Sequence, residues 1–124
     1  NEARYYRAQS LVKVNQMTHA VADWQSLAQD TRNAYGAEAK YQLAQYLFDT
    51  GKTADAEKEV LNYLEVSTPH TYWLARSFVL LSDIYAKLDR KLEARQYLIS
   101  LKQNYQADDD IAGMIESRLE KLNE

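Results

Sequence analysis

Apolar residues recur along this chain at helical spacing, and the clearest run extends from Ala37 to Thr68. Leu43, Ala44 and Leu47 fall at i, i+1 and i+4, the stripe of one amphipathic helix. Gly51 follows, free to take the left-handed backbone that ends a helix. Ala56, Val60 and Leu64 recur at i, i+4 and i+8 on a second helix that packs back on the first. The same pattern then repeats. Ala8, Ala44 and Ser82 correspond, as do Leu11, Leu47 and Tyr85, and Ala20, Ala56 and Ala94, each set in steps of 36 and 38 residues. Asn15, Gly51 and Asp89 stand between the helices of each pair, and all three residue types tolerate a left-handed backbone. Four sets in one register exclude chance.

The spacing predicts seven helices, at about 2–14, 18–31, 36–50, 53–66, 69–88, 91–105 and 109–122. Thr68 and Pro69 read as N-cap and first residue of the fifth, which starts a turn earlier than its counterparts and accounts for the longer step. Asp108, Asp109 and Asp110 could suggest a metal site. Placed where the last helix begins, they are expected instead to cap it and complement its dipole. In that helix Ile111, Ile115, Leu119 and Leu122 make one inward stripe and Glu116, Ser117, Glu120 and Lys121 a polar face, as the end of a solenoid requires. The first helix is apolar over more than one face, through Ala3, Tyr5, Tyr6, Ala8, Leu11, Val12 and Val14. Its outer side is expected to meet a further repeat or a second copy.

Composition narrows the function classes. At 124 residues and 46% apolar content the chain can bury a core as one domain, and three Gly and one Pro argue against tight-turned β structure. Fifteen Lys and Arg against eighteen Asp and Glu leave a net charge of −3 with no basic run, which disfavours nucleic acid or an anionic membrane as partner. No apolar run approaches the roughly 20 residues of a membrane span. Zero Cys removes disulfides, thiolate catalysis and thiolate metal sites. No initiator Met or signal peptide is present, so the chain is expected to be an excised or processed piece, the C-terminal end of a longer array.

Catalysis needs converging groups. His19 and His70 fall in different repeats, outside any HExxH-like spacing, and are expected to be surface or interhelix residues. Ser10, Ser26, Ser77, Ser82 and Ser100 lie within predicted helices rather than on nucleophile-elbow turns, and the glycines cannot form a phosphate loop. The expectation is a non-enzyme that holds no cofactor and no metal.

Helix pairs of this period with small residues at their crossings resemble the tetratricopeptide repeat (TPR) family. The matching residues are Ala8, Leu11, Ala20, Trp24 and Leu27, then Ala44, Leu47, Ala56, Val60 and Tyr63, then Ser82, Tyr85, Ala94, Leu98 and Leu101. The resemblance covers nearly the whole chain. Arg4, Lys40 and Phe78 depart from it, standing where the family often has Trp, and the period exceeds its usual value of about 34. It implies an all-α, right-handed superhelix of three antiparallel helix pairs, over 1–35, 36–68 and 69–107, closed by a capping helix over 108–124. The stretches AEAKYQLAQYLFDTGK and TPHTYWLARSFVLLSDIYAK also resemble large TPR proteins of the Gram-negative envelope, which implies a periplasmic or envelope setting.

In that family the first helices of successive pairs line a concave groove. The resemblance places Glu2, Tyr5, Gln9, Val12 and Lys13 there, then Glu38, Tyr41, Gln45, Phe48 and Asp49, then Arg76, Val79, Asp83, Ala86 and Lys87. Tyr5 over Tyr41 and Gln9 over Gln45 would form ladders suited to an extended peptide, or Tyr5 and Tyr41 would simply pack between helices. The family's carboxylate clamp is missing, because Tyr5, Gln9, Gln42, Arg76 and Leu80 occupy its positions and only Arg76 keeps the charge type. The expected function is protein–protein interaction in the groove, with a peptide or partner subunit as ligand. The alternatives are a structural end segment of a TPR rod, self-associating through its N-terminal helix, and an accessory domain of an enzyme.

Overall fold

Seven α-helices and no strand make up the described residues of this chain in a computed structural model. It describes residues 2–13, 17–65 and 69–123, with side chains throughout these except at 10–13 and 17–19. The helices are α1 (Glu2–Lys13), α2 (Met17–Leu27), α3 (Ala34–Asp49), α4 (Thr53–Glu65), α5 (Thr71–Lys87), α6 (Lys91–Asn104) and α7 (Ile111–Leu122). Contacts divide the chain into two units, Asn1–Leu74 and Ala75–Glu124, the division falling inside α5.

In the first unit α1 packs on α2, α2 on α3, and α3 on α4. Ala8, Ala20, Trp24, Leu27, Ala39 and Leu43 form its core cluster, with Tyr5, Val21, Tyr35 and Tyr46 packed against it. In the second unit α6 packs on α7. Leu80, Leu81, Ile84, Leu98 and Ile111 are among its fully buried side chains. The small residues of the repeat pattern, Ala8, Ala20, Ala44, Ala56, Ser82 and Ala94, are all buried. So are Trp24, Tyr63 and Tyr85, the aromatics among the residues that carry the resemblance. In α7 the stripe and the polar face fall as the sequence implies: Ile111 and Ile115 are buried, Glu116, Ser117, Glu120 and Lys121 exposed.

The helix ends repeat with the sequence. After α3, Gly51 takes φ 84°, Gly51 N–H donates to Phe48 O at 3.1 Å, and Lys52 N–H donates to Leu47 O at 2.8 Å. After α5, Asp89 takes φ 61°, Asp89 N–H donates to Ala86 O at 3.1 Å, and Arg90 N–H donates to Tyr85 O at 2.8 Å. These are two Schellman closures in register, each satisfying carbonyls that a helix end would otherwise leave unpaired. Asn15, the third residue of that set, lies outside the described residues.

Contacts within pairs recur as well. Arg4 donates to Ser26, Lys40 bonds Asn62 and Glu59, and the Phe78 ring faces Tyr97 at 6.1 Å. Residues 4, 40 and 78 are equivalent in the repeat, as are 26 and 62, and 59 and 97. The 4–26 and 40–62 pairs are thus equivalent hydrogen bonds, and the 40–59 and 78–97 pairs one contact made as an ion pair in the second pair and between rings in the third.

Four helix boundaries differ from the sequence reading. α2 ends at Leu27 rather than near 31, and α3 starts at Ala34 rather than 36. Asn33 is a strong N-cap, its Oδ1 accepting from Tyr35 N–H at 2.8 Å, and the reversal that reaches it uses up the last turn expected of α2. Within that reversal Asp30 N–H donates to Leu27 O and Asn33 N–H to Asp30 O, each at 3.3 Å. α5 begins at Thr71 rather than Pro69, whose carbonyl accepts from Thr71 N–H at 3.1 Å in the turn before the helix. Thr68, expected to cap it, lies outside the described residues. α7 begins at Ile111 rather than 109, and Asp109 supplies the side-chain cap by accepting from Ile111 N–H at 2.9 Å.

Candidate functional site

Tyr5 and Gln9 lie one turn apart on α1, and both reach Glu38 in the first turns of α3. The Tyr5 hydroxyl donates to Glu38 Oε1 at 3.1 Å and the Gln9 amide to Glu38 Oε2 at 3.0 Å. Burial, followed by the nearby Glu38 carboxylate, holds the Tyr5 phenol above its ordinary pKa. Along α3 the Tyr41 hydroxyl donates to Gln45 Oε1 at 2.9 Å, and the Gln45 amide donates to Asp49 Oδ1 at 2.8 Å. The two sets make a polar strip of aromatic, amide and carboxylate groups across α1 and α3. Phe48 is half-buried at the end of α3, and the Lys13 side chain lies outside the description.

The same residues also make ring contacts with other neighbours. The Tyr5 ring contacts Tyr6 edge-on at 5.3 Å and Tyr35 at 4.7 Å. Tyr41 is only 5% exposed, its ring packed on Trp73 at 5.6 Å. Gln9 bonds Glu38. A carboxylate within reach of a phenol and an amide accepts charge-assisted hydrogen bonds, which hold both groups in place.

Arg76, Val79 and Asp83, which the resemblance assigns to a groove, belong to the second unit. Val79 is buried and contributes to packing rather than to a surface. Arg76 is half-buried. Asp83 receives both Nε and Nη2 of Arg118, at 2.9 and 3.1 Å, which ties α5 to α7. Lys91 and Lys121 lie with this pair around a cavity of about 180 Å³. His70, read as an interhelix histidine, places Nε2 2.9 Å from Arg32 O, which accepts its hydrogen bond.

The sequence reading missed a larger cavity. About 640 Å³ of space lies between α2, α3 and α4, wholly within the first unit. Lys40 lines it, its side chain 12% exposed, with Nζ 2.8 Å from Glu59 Oε1 and 2.7 Å from Asn62 Oδ1. Lys40 stands where Phe78 stands in the third pair, and a lysine drawn to α4 fills less of the interhelix space than a ring. The departure from Trp at this position was the available signal.

No protein-family model, no curated protein and no solved structure matches this chain. Among the described residues no helix is long and apolar enough to cross a membrane.

Proposed function

We propose that this chain is a non-catalytic protein-interaction module of the TPR type, three helix pairs and a cap in a right-handed superhelix. It engages a peptide or partner subunit along the face of its first helices. The observation that supports this most directly is the convergence of Tyr5 and Gln9 on Glu38. It joins α1 and α3 by ordered polar groups, and groups ordered before binding lose less entropy when a ligand arrives. The repeated Schellman closures and the in-register contacts support the repeat reading.

The test is selection of ligands from a random peptide library on the immobilised chain, followed by amide chemical-shift mapping. Shifts centred on Tyr5, Gln9, Gln45 and Phe48, with binding weakened by Gln9→Ala/Gln45→Ala, are expected. Tyr41 is left intact in that variant because it is buried. A chain that selects no peptide, or ligands that never touch this strip, would refute the assignment.

A second reading is structural self-association, favoured by Tyr6, which is 56% exposed on α1 beside the exposed Ala3. Sedimentation over a range of concentrations tests it: a dimer that Tyr6→Glu dissolves favours the structural role, and a monomer throughout excludes it.

A further inference from the structure

The cavity between α2, α3 and α4 is not part of the α1–α3 strip, and its chemistry is different. Its volume, about 640 Å³, lies within the range of about 300–1,000 Å³ typical of ligand sites. Val21 of α2, Ala28 just after it, and Leu43 and Leu47 of α3 line it as an apolar floor for one or two aliphatic side chains. Carboxamides stand around that floor, Gln25 and Gln29 on one side and Asn62 on the other. An amide offers both donor and acceptor, which suits a peptide backbone.

Charge selects the ligand further. Lys40 and Lys52 line the cavity against one carboxylate, Glu59. Lys40 is already held by Glu59 and Asn62. Lys52, exposed just after Gly51, brings the charge that Glu59 does not balance.

We infer that this cavity is a second peptide-docking site, which takes an extended segment of a partner protein carrying an acidic residue between aliphatic ones. The aliphatic side chains lie on the floor of Val21, Ala28, Leu43 and Leu47, the backbone pairs with the carboxamides, and the carboxylate meets Lys52. The inference does not depend on the strip formed by Tyr5 and Gln9, and the two sites are separated by which amides respond to a ligand.

Three blocked pentapeptides, Gly-Leu-X-Leu-Gly with X as Asp, Asn or Lys, are titrated into the labelled full chain and followed by amide shifts. Saturable shifts are expected at Val21, Ala28, Leu43 and Leu47, with the Asp peptide about threefold tighter than the Asn peptide, the size of one exposed ion pair. The Lys peptide should be weakest, and the ranking should narrow at high salt. Lys52→Glu, at an exposed position, should reverse the order of the Asp and Lys peptides without changing the melting temperature. Gln25→Trp, on the exposed rim, should block all three. Equal binding of the three peptides, shifts confined to the Tyr5–Gln9 strip, or no saturable shift for any peptide would overturn the assignment.

Discussion

Gly36→Ala should destabilise this protein although it replaces a poor helix former with the best one. Gly36 is the third residue of α3 and is buried. A Cβ built there would lie 1.9 Å from Asp30 O and 2.6 Å from Leu27 O. Both obstacles are backbone atoms of the reversal after α2, so no side chain can swing aside. That reversal is closed by its own hydrogen bonds, from Asp30 N–H to Leu27 O and from Asn33 N–H to Asp30 O. Separating the two segments by more than an ångström would strain those bonds and loosen the packing of Trp24 and Leu27 beneath them. Helix propensity favours Ala by about 1 kcal/mol, whereas overpacking costs about 1–3 kcal/mol and more where the structure cannot yield. The obstacle here is rigid, so the steric effect wins, and a net loss of about 2 kcal/mol is expected. Urea unfolding followed by far-UV circular dichroism measures it. Gly113→Ala is the control: that glycine sits in α7 with nothing within 4 Å of an added Cβ, and should gain up to about 1 kcal/mol. Equal gains at both sites would show that α2 and α3 do not approach so closely and would refute the argument.

Other outcomes follow from the same geometry. Gly51→Ala meets no obstacle, since nothing lies within 4 Å, so its cost is that of placing Ala at positive φ, about 1 kcal/mol; Asp89→Gly, at φ 61°, should gain a comparable or smaller amount in the same urea assay. Ala56 is fully buried, and Ala56→Leu should lose about 1–3 kcal/mol through overpacking; an unchanged unfolding midpoint would contradict the helix register. The folded-state pKa of Tyr5 is raised by burial and by Glu38. Its protonated form is therefore the one the fold favours: the contribution is complete below the unfolded phenol value and is lost as pH rises through the folded one. Urea midpoints should fall from about pH 10 upward, and less steeply in Tyr5→Phe; parallel profiles for the two proteins would remove Tyr5 from the account.

Much of this architecture was legible because its causes are local. Helical periodicity needs only a few successive residues, so all seven helices and the buried stripe of α7 could be read from spacing. The left-handed closures at Gly51 and Asp89 follow from the backbone preferences of those residue types, and the 36- and 38-residue steps carried the register of Ala8, Ala20, Ala56 and Ala94 into the core. Even the equivalence of 4, 40 and 78 was visible, though not that an ion pair at one repeat answers an aromatic contact at another.

The tertiary structure decided what depends on partners distant in sequence. Gly36 reads as an ordinary helix-start glycine until α2 comes within contact of it. Tyr5, Gln9, Tyr41 and Gln45 carry no sign in the sequence that one carboxylate, Glu38, will gather the first two while Trp73 covers the third. The space beside Lys40 is a difference between what three helices enclose and what their side chains fill. Local patterns determine which face of each helix is buried. Where neighbouring helices touch and where they leave room is set by side-chain volumes meeting across the chain, and those volumes act together only once the helices have packed.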